Sequence, residues 1–216
     1  MNRLSLAPLA AATSLLLAAP ASAADHEFEL WLNHRVSTEV AENTSIELDT
    51  AQRFRRDPVP DTYYLRLSVN HELSEQFEVS GGVQRQWDGD RRELRLVEQL
   101  GYRRGIFRGR TRLEQRFIRD ADQTAWRLRQ RVGVSVPLSK ANGDLALIAN
   151  AEGFFTLRPT SAGGDKGLTG VRTIVALERE FGKVGVTLGY LRQQNVNSGA
   201  PDRIAHAPLI GIELGL

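Results

Sequence analysis

The chain contains no cysteine, so neither a disulfide framework nor a thiolate metal or redox centre is open to it. It has only three lysines beside 25 arginines. Its positive charge is therefore carried by planar guanidinium groups that match carboxylates and phosphates, although the codon bias of a GC-rich genome accounts for the ratio equally well. After residue 23 no apolar run reaches the roughly 20 residues that a spanning helix needs. No segment holds a helical period, no Gly-x-Ser-x-Gly pattern occurs, and no Pro/Ser-rich linker or block of like charge divides the chain.

What is present begins with a processing signal. Met1 to Arg3 is a short basic start, Leu4 to Ala19 is apolar apart from Pro8, and Pro20 to Ala23 supplies small residues. Residues 1–23 read as a signal peptide cleaved after Ala23 or one residue later, and residues 24–216 as one exported domain. Without disulfides, burial or membrane insertion must stabilise that domain.

The domain alternates with period two throughout. Candidate strands fall roughly at 28–38, 43–54, 62–72, 76–88, 91–103, 106–119, 124–137, 144–157, 168–180, 184–194 and 203–216. Many reach the nine to eleven residues of a tilted strand that crosses a bilayer. From about residue 72 the connectors alternate in size. Leu73 to Glu75, Arg103 to Gly105, Ser139 to Gly143 and Phe181 to Lys183 are tight, while Arg119 to Gln123, Arg158 to Gly167 and Gln194 to Asp202 are open; Asp88 to Asp90 is a short exception. This asymmetry fits an outer-membrane barrel with short periplasmic turns. Trp31, Tyr63, Phe77, Trp87, Tyr102, Phe107, Phe117, Trp126 and Tyr190 sit near strand ends in the apolar phase, as interface girdles do.

The fold expected is all-β, a single antiparallel transmembrane β-barrel of about 10–12 strands in the bacterial outer membrane. Two features resist it. Glu98 lies mid-strand in the apolar phase, and eleven strands is odd where bacterial single-chain barrels are even, which points to a misread first segment, split or partly inside the lumen.

Strands 106–119 and 124–137 carry the one strong local field. Arg108, Arg110, Arg112, Arg116, Arg127, Arg129 and Arg131 share the lumen phase with Glu114 alone, while Glu152 and Glu178 are acidic partners from later strands. Two readings stay open, a structural barrel plugged by Arg–Glu pairs and a narrow pore whose cationic strip favours anions.

Arg110-Thr-Arg-Leu-Glu-Gln-Arg-Phe117, Trp126-Arg-Leu-Arg-Gln-Arg-Val-Gly-Val-Ser-Val-Pro-Leu138, Glu152-Gly-Phe-Phe155 and Gly189-Tyr-Leu-Arg-Gln193 resemble the bacterial family known as domain of unknown function 2490. The resemblance covers essentially the whole of residues 24–216. It implies a signal-bearing outer-membrane barrel of this size and carries over no catalytic or ligand residue. Outer-membrane barrels commonly end in an aromatic residue, and this chain ends in Leu216 after the alternating Ile210, Ile212 and Leu214.

An enzyme reading rests on His34, His71 and His206, which share the apolar phase near strand ends, with His26 close to the N-terminus. A barrel lipid hydrolase or acyltransferase needs a nucleophile beside the base, yet the strand next to His206 offers Tyr190 and Arg192 and no serine. Asp88/Asp90 and Asp120/Asp122 read as turn residues before they read as cation ligands. The arginines alternate with apolar residues rather than forming an exposed stripe with stacking aromatics, so nucleic acid is not an expected partner. Expected partners are outer-membrane lipid and lipopolysaccharide, the barrel-assembly machinery and small anions, with no cofactor. A soluble periplasmic β-barrel binding protein is the remaining alternative. On a denaturing gel an inserted barrel is expected to change mobility on boiling; no shift, together with solubility without detergent, would favour the soluble alternative.

Overall fold

The computed structural model describes residues 24–56, 58–138 and 144–216. The expected signal peptide and most of the connector after Leu138 lie outside them. The strands are β1 (Asp25–Phe28), β2 (Leu30–Ala41), β3 (Thr44–Phe54), β4 (Thr62–Glu72), β5 (Phe77–Asp88), β6 (Arg91–Arg104), β7 (Phe107–Ile118), β8 (Ala125–Pro137), β9 (Leu145–Arg158), β10 (Gly167–Phe181), β11 (Val184–Asn195) and β12 (Arg203–Gly215). Each pairs with the next from β2 onward, and β12 pairs back to β2. The sheet is thus a closed barrel of eleven strands with β1 as an extra piece.

The odd count is real, and it corrects the expectation of a wholly antiparallel barrel. In an up-and-down run of eleven strands the first and last point the same way, so closure demands a parallel seam. That seam runs from Leu209 opposite Trp31 to Gly215 opposite Ser37. β1 continues it in the same register, from Asp25 opposite Arg203 to Phe28 opposite His206. Between the two pieces the Glu29 amide donates to the His206 carbonyl at 3.0 Å, so the ladder passes through the break. The first strand is therefore split at Glu29, and only its second piece also pairs with β3.

Side-chain alternation in a closed sheet sorts every residue to the lumen or the outer wall. The outer wall is apolar. Leu48, Leu65, Leu67, Val83, Leu96, Val132, Val175, Leu188 and Ile210 are all exposed, whereas Asp49, Arg66, Gln84, Glu93, Arg95, Arg112, Glu114, Arg129 and Glu152 are buried inside. Phe77, Tyr102 and Phe107 mark the outer wall towards one rim, and Tyr63, Trp87, Phe117 and Trp126 towards the other.

Trp31 departs from the expected girdle. It faces the lumen, 4% exposed, packed with Leu191, Ala207 and Leu209. Its register opposite Arg53 puts it in the same phase as Asp49. Glu98 does face outward, between Gly81 and Leu113.

Turns at the rim with Asn43, Gly105 and Gly182 are tight, each closed by a residue at positive φ. The other rim carries the longer loops between β3 and β4, β7 and β8, β9 and β10, and β11 and β12, with the short turn at Gly89 as the exception.

Strong coiling brings some lumen-facing backbones close together. A Cβ at Gly189 would lie 2.5 Å from that of Ala176, while at outward-facing Gly81 it would meet nothing within 4 Å. Gly189→Val is expected to destabilise the barrel by about 1–3 kcal/mol and Gly81→Val to have little effect, read by thermal unfolding of the refolded proteins.

Candidate functional site

Opposed positions on β7 and β8 set like charges side by side. Arg110 lies opposite Arg131 and Arg112 opposite Arg129, with Glu114 opposite Arg127. Like charges so placed repel. The structure answers with carboxylates from these and flanking strands. Glu114, fully buried, accepts from Arg129 Nη1 at 2.8 Å and from Arg127 Nε at 2.9 Å. Glu152 on β9 accepts from Arg129 Nη2 at 2.7 Å and from Arg110, with Arg172 at 3.8 Å. Glu93 on β6 takes Arg116 at 2.6 and 3.0 Å and also holds Arg95. A separate group joins Arg66 and Arg35 to Asp49 and Glu47.

The aromatic rings inside the lumen belong to this belt. The Arg129 guanidinium lies 4.7 Å from the Phe154 ring centre, Arg172 lies 5.0 Å from Phe154 and 4.7 Å from Trp31, and Arg53 lies 3.9 Å from Trp31. Such contacts hold guanidinium planes in position by cation–π attraction. Trp31 Nε1 donates to Glu29, which also accepts from Arg55 at 3.0 Å.

Of the residues expected to form the cationic strip, Arg110, Arg116, Arg127 and Arg129 are ion-paired. Arg112 donates to the neutral Gln99 amide oxygen at 3.0 and 2.7 Å, and Arg108 turns to the backbone carbonyls of Gly105 and Phe107 at the tight-turn rim. Arg131 makes no hydrogen bond or ion pair among the described residues, although it lines two cavities. Glu114 and Glu152 are brought into the strip. Glu178 is not; it lines the lumen apart from those pairs and forms no ion pair among the described residues.

Glu93, Phe154 and Trp31 were absent from the sequence-based site. Glu93 was legible in principle, since it shares the phase of Arg95 and Gln99 on β6. Phe154 shares the phase of Glu152, but an aromatic residue in a strand gives no sign of facing arginines.

Three cavities follow one another along the lumen. The central one, of about 260 Å³, is lined by nine arginines and four acidic residues. One of about 310 Å³ opens towards the long loops and one of about 460 Å³ towards the tight turns. Trp31, Arg53, Arg95, Arg129 and Arg172 stand between the first two.

On the outer wall at the seam, His206 meets His26 at 3.0 Å and Tyr190 through its other ring nitrogen, with Arg192 opposite it in the ladder. His34 meets Thr50 at 3.2 Å and His71 meets Thr44 at 2.9 Å. Asp88 accepts from Thr62 and Gln86, and Asp120 adopts a left-handed turn conformation.

Residues 28–204 match the family described as Protein of unknown function (DUF2490). An uncharacterised protein of Methylorubrum extorquens is 33% identical over 112 residues, 49% of this chain and 49% of the relative. The chain thus matches about half the length of that curated relative. Among solved structures the fold is similar to that of the NanC porin, with a TM-score of 0.54 at 10% identity, over 82% of this chain and 93% of the porin chain.

Removing one partner of a buried ion pair leaves an uncompensated charge. Glu114→Ala is expected to cost about 3–5 kcal/mol, because Arg127 and Arg129 lose their shared carboxylate; Glu178→Ala is expected to stay within about 0.5 kcal/mol. Denaturant unfolding of the barrel in lipid distinguishes the two.

Proposed function

We propose, for a chain that belongs to the DUF2490 family of proteins of unknown function, the role of a non-enzymatic outer-membrane β-barrel whose arginine-walled lumen gives small anions a narrow pathway. The observation that carries the membrane assignment is the inversion of the barrel, apolar outside and ion-paired inside. Its height supports it. Phe77 and Trp87 on β5 are ten residues apart on the outer wall, and so are Phe107 and Phe117 on β7. At a rise of about 3.4 Å per residue and a tilt near 40°, that separation spans about 26 Å, against the roughly 25 Å apolar band of outer-membrane barrels. Glu98 on this face costs less than the roughly 2–4 kcal/mol of a midplane arginine.

The signal peptide supplies export, the assembly machinery insertion, and outer-membrane lipid and lipopolysaccharide the surroundings. The outer-wall histidines have Tyr190, Thr50 and Thr44 as hydrogen-bond partners; without a serine or carboxylate in these contacts, they are read as interfacial side chains.

The excess of arginine over acid around the central cavity favours anions, because a low-dielectric wall focuses that field on the space it encloses. A second reading, a barrel closed by its own side chains, is favoured by the partition at Trp31, Arg53, Arg95, Arg129 and Arg172. Planar-bilayer recordings separate the two. Small conductance steps with a reversal potential favouring chloride over potassium are expected, and Arg112→Glu combined with Arg131→Glu is expected to abolish or invert that preference while leaving insertion intact. Absence of conductance in correctly folded protein would leave the closed barrel.

A further inference from the structure

Among the described residues, three guanidinium groups that line the central cavity make no ion pair: Arg53, which lies over the Trp31 ring, and Arg112 and Arg131, which have no aromatic face beneath them. The oxygens of Glu152 are engaged by Arg110, Arg129 and Arg172, and those of Glu114 by Arg127 and Arg129. Arg112, 5% exposed, is met only by the Gln99 amide oxygen, which satisfies hydrogen-bond direction but supplies no negative charge. Across the β7–β8 ladder Arg131 faces Arg110 and Arg112 faces Arg129; on its other side Arg131 lies opposite Glu152, whose oxygens are turned to Arg110, Arg129 and Arg172. Both Arg112 and Arg131 line the central cavity, whose 260 Å³ exceeds by an order of magnitude the roughly 10–15 Å³ that one water requires.

We propose that Arg112 and Arg131 form an oxyanion-binding subsite in the central cavity, taking a compact phosphate or carboxylate group in preference to a halide. The inference rests on the anion-pathway reading for its role and narrows the ligand class. A guanidinium presents parallel N–H donors that match two oxygens of one group, a fit that a spherical ion does not reproduce. The bound group also supplies a negative charge to Arg112 and Arg131, the member of each cross-strand arginine pair that has no ion pair of its own, so binding relieves repulsion already present in the barrel.

The test uses the full barrel folded in detergent, titrated with inorganic phosphate by calorimetry at constant ionic strength in chloride buffer, with acetate as the carboxylate arm. Saturable binding of one phosphate per barrel is expected against excess chloride. Arg112→Gln combined with Arg131→Gln is expected to weaken it about tenfold or more, the loss of charge-assisted donors. Arg85→Gln, on the outer wall opposite Leu65 and Leu94, removes one of the same charges and is expected to leave affinity unchanged. If the double variant fails to fold, Arg131→Lys keeps the charge and removes the fork, and weaker phosphate binding is again expected. Absence of saturable binding in folded wild-type protein, or equal affinity in the lumen variants, would overturn the subsite. Phosphate binding without conductance would overturn the pathway alone, and chloride-selective conductance without phosphate binding the subsite alone.

Discussion

Closure of the sheet on itself is the constraint on which everything else here depends. A sheet with free edges can tolerate a slipped register, but a closed one fixes each residue as inside or outside for its whole circumference. The pairing of Gly215 with Ser37 and of Leu209 with Trp31 makes that sorting consistent around eleven strands. Once it holds, every second residue of β7 and β8 enters the lumen, and the arginines have no choice but to find partners there.

How they find them explains the character of the interior. Burying one guanidinium without compensation is costly, and burying a pair repays that cost only when the geometry is good and remaining donors are satisfied. Glu93, Glu114 and Glu152 each serve two or more arginines, so few carboxylates neutralise many cations. Trp31 gives an aromatic face to Arg53, which has no ion pair among the described residues, and Phe154 adds one to Arg129, which is already paired. The interior is a scaffold of shared charges that leaves a positive remainder.

The strand pattern, the lumen phase of the two arginine ladders and the contrast between turn lengths were legible from residue alternation alone, because period two is a backbone property independent of partners. Trp31 was misplaced because an aromatic residue near a strand end satisfies a girdle and a lumen cluster equally well; only register against Arg53 decides. The odd strand count pointed to a misread first segment, and that segment is indeed split, but the parallel seam that makes eleven strands a closed number leaves no local mark in the sequence. Glu178 shares the phase of the ladders, but phase does not say what lies across a strand's two neighbours, and Glu178 stands opposite Thr187 and Ala146 rather than an arginine.

The parallel seam also gives the molecule a direction. Asp25 pairs with Arg203 beside the long loop that follows Asn195, whereas Leu214 pairs with Val184 beside the tight turn at Gly182. The chain entering β1 and the chain leaving β12 therefore stand at opposite mouths of the barrel. An even-stranded barrel returns both ends to a single mouth; this one is a vector, with head and tail at opposite openings of the same lumen.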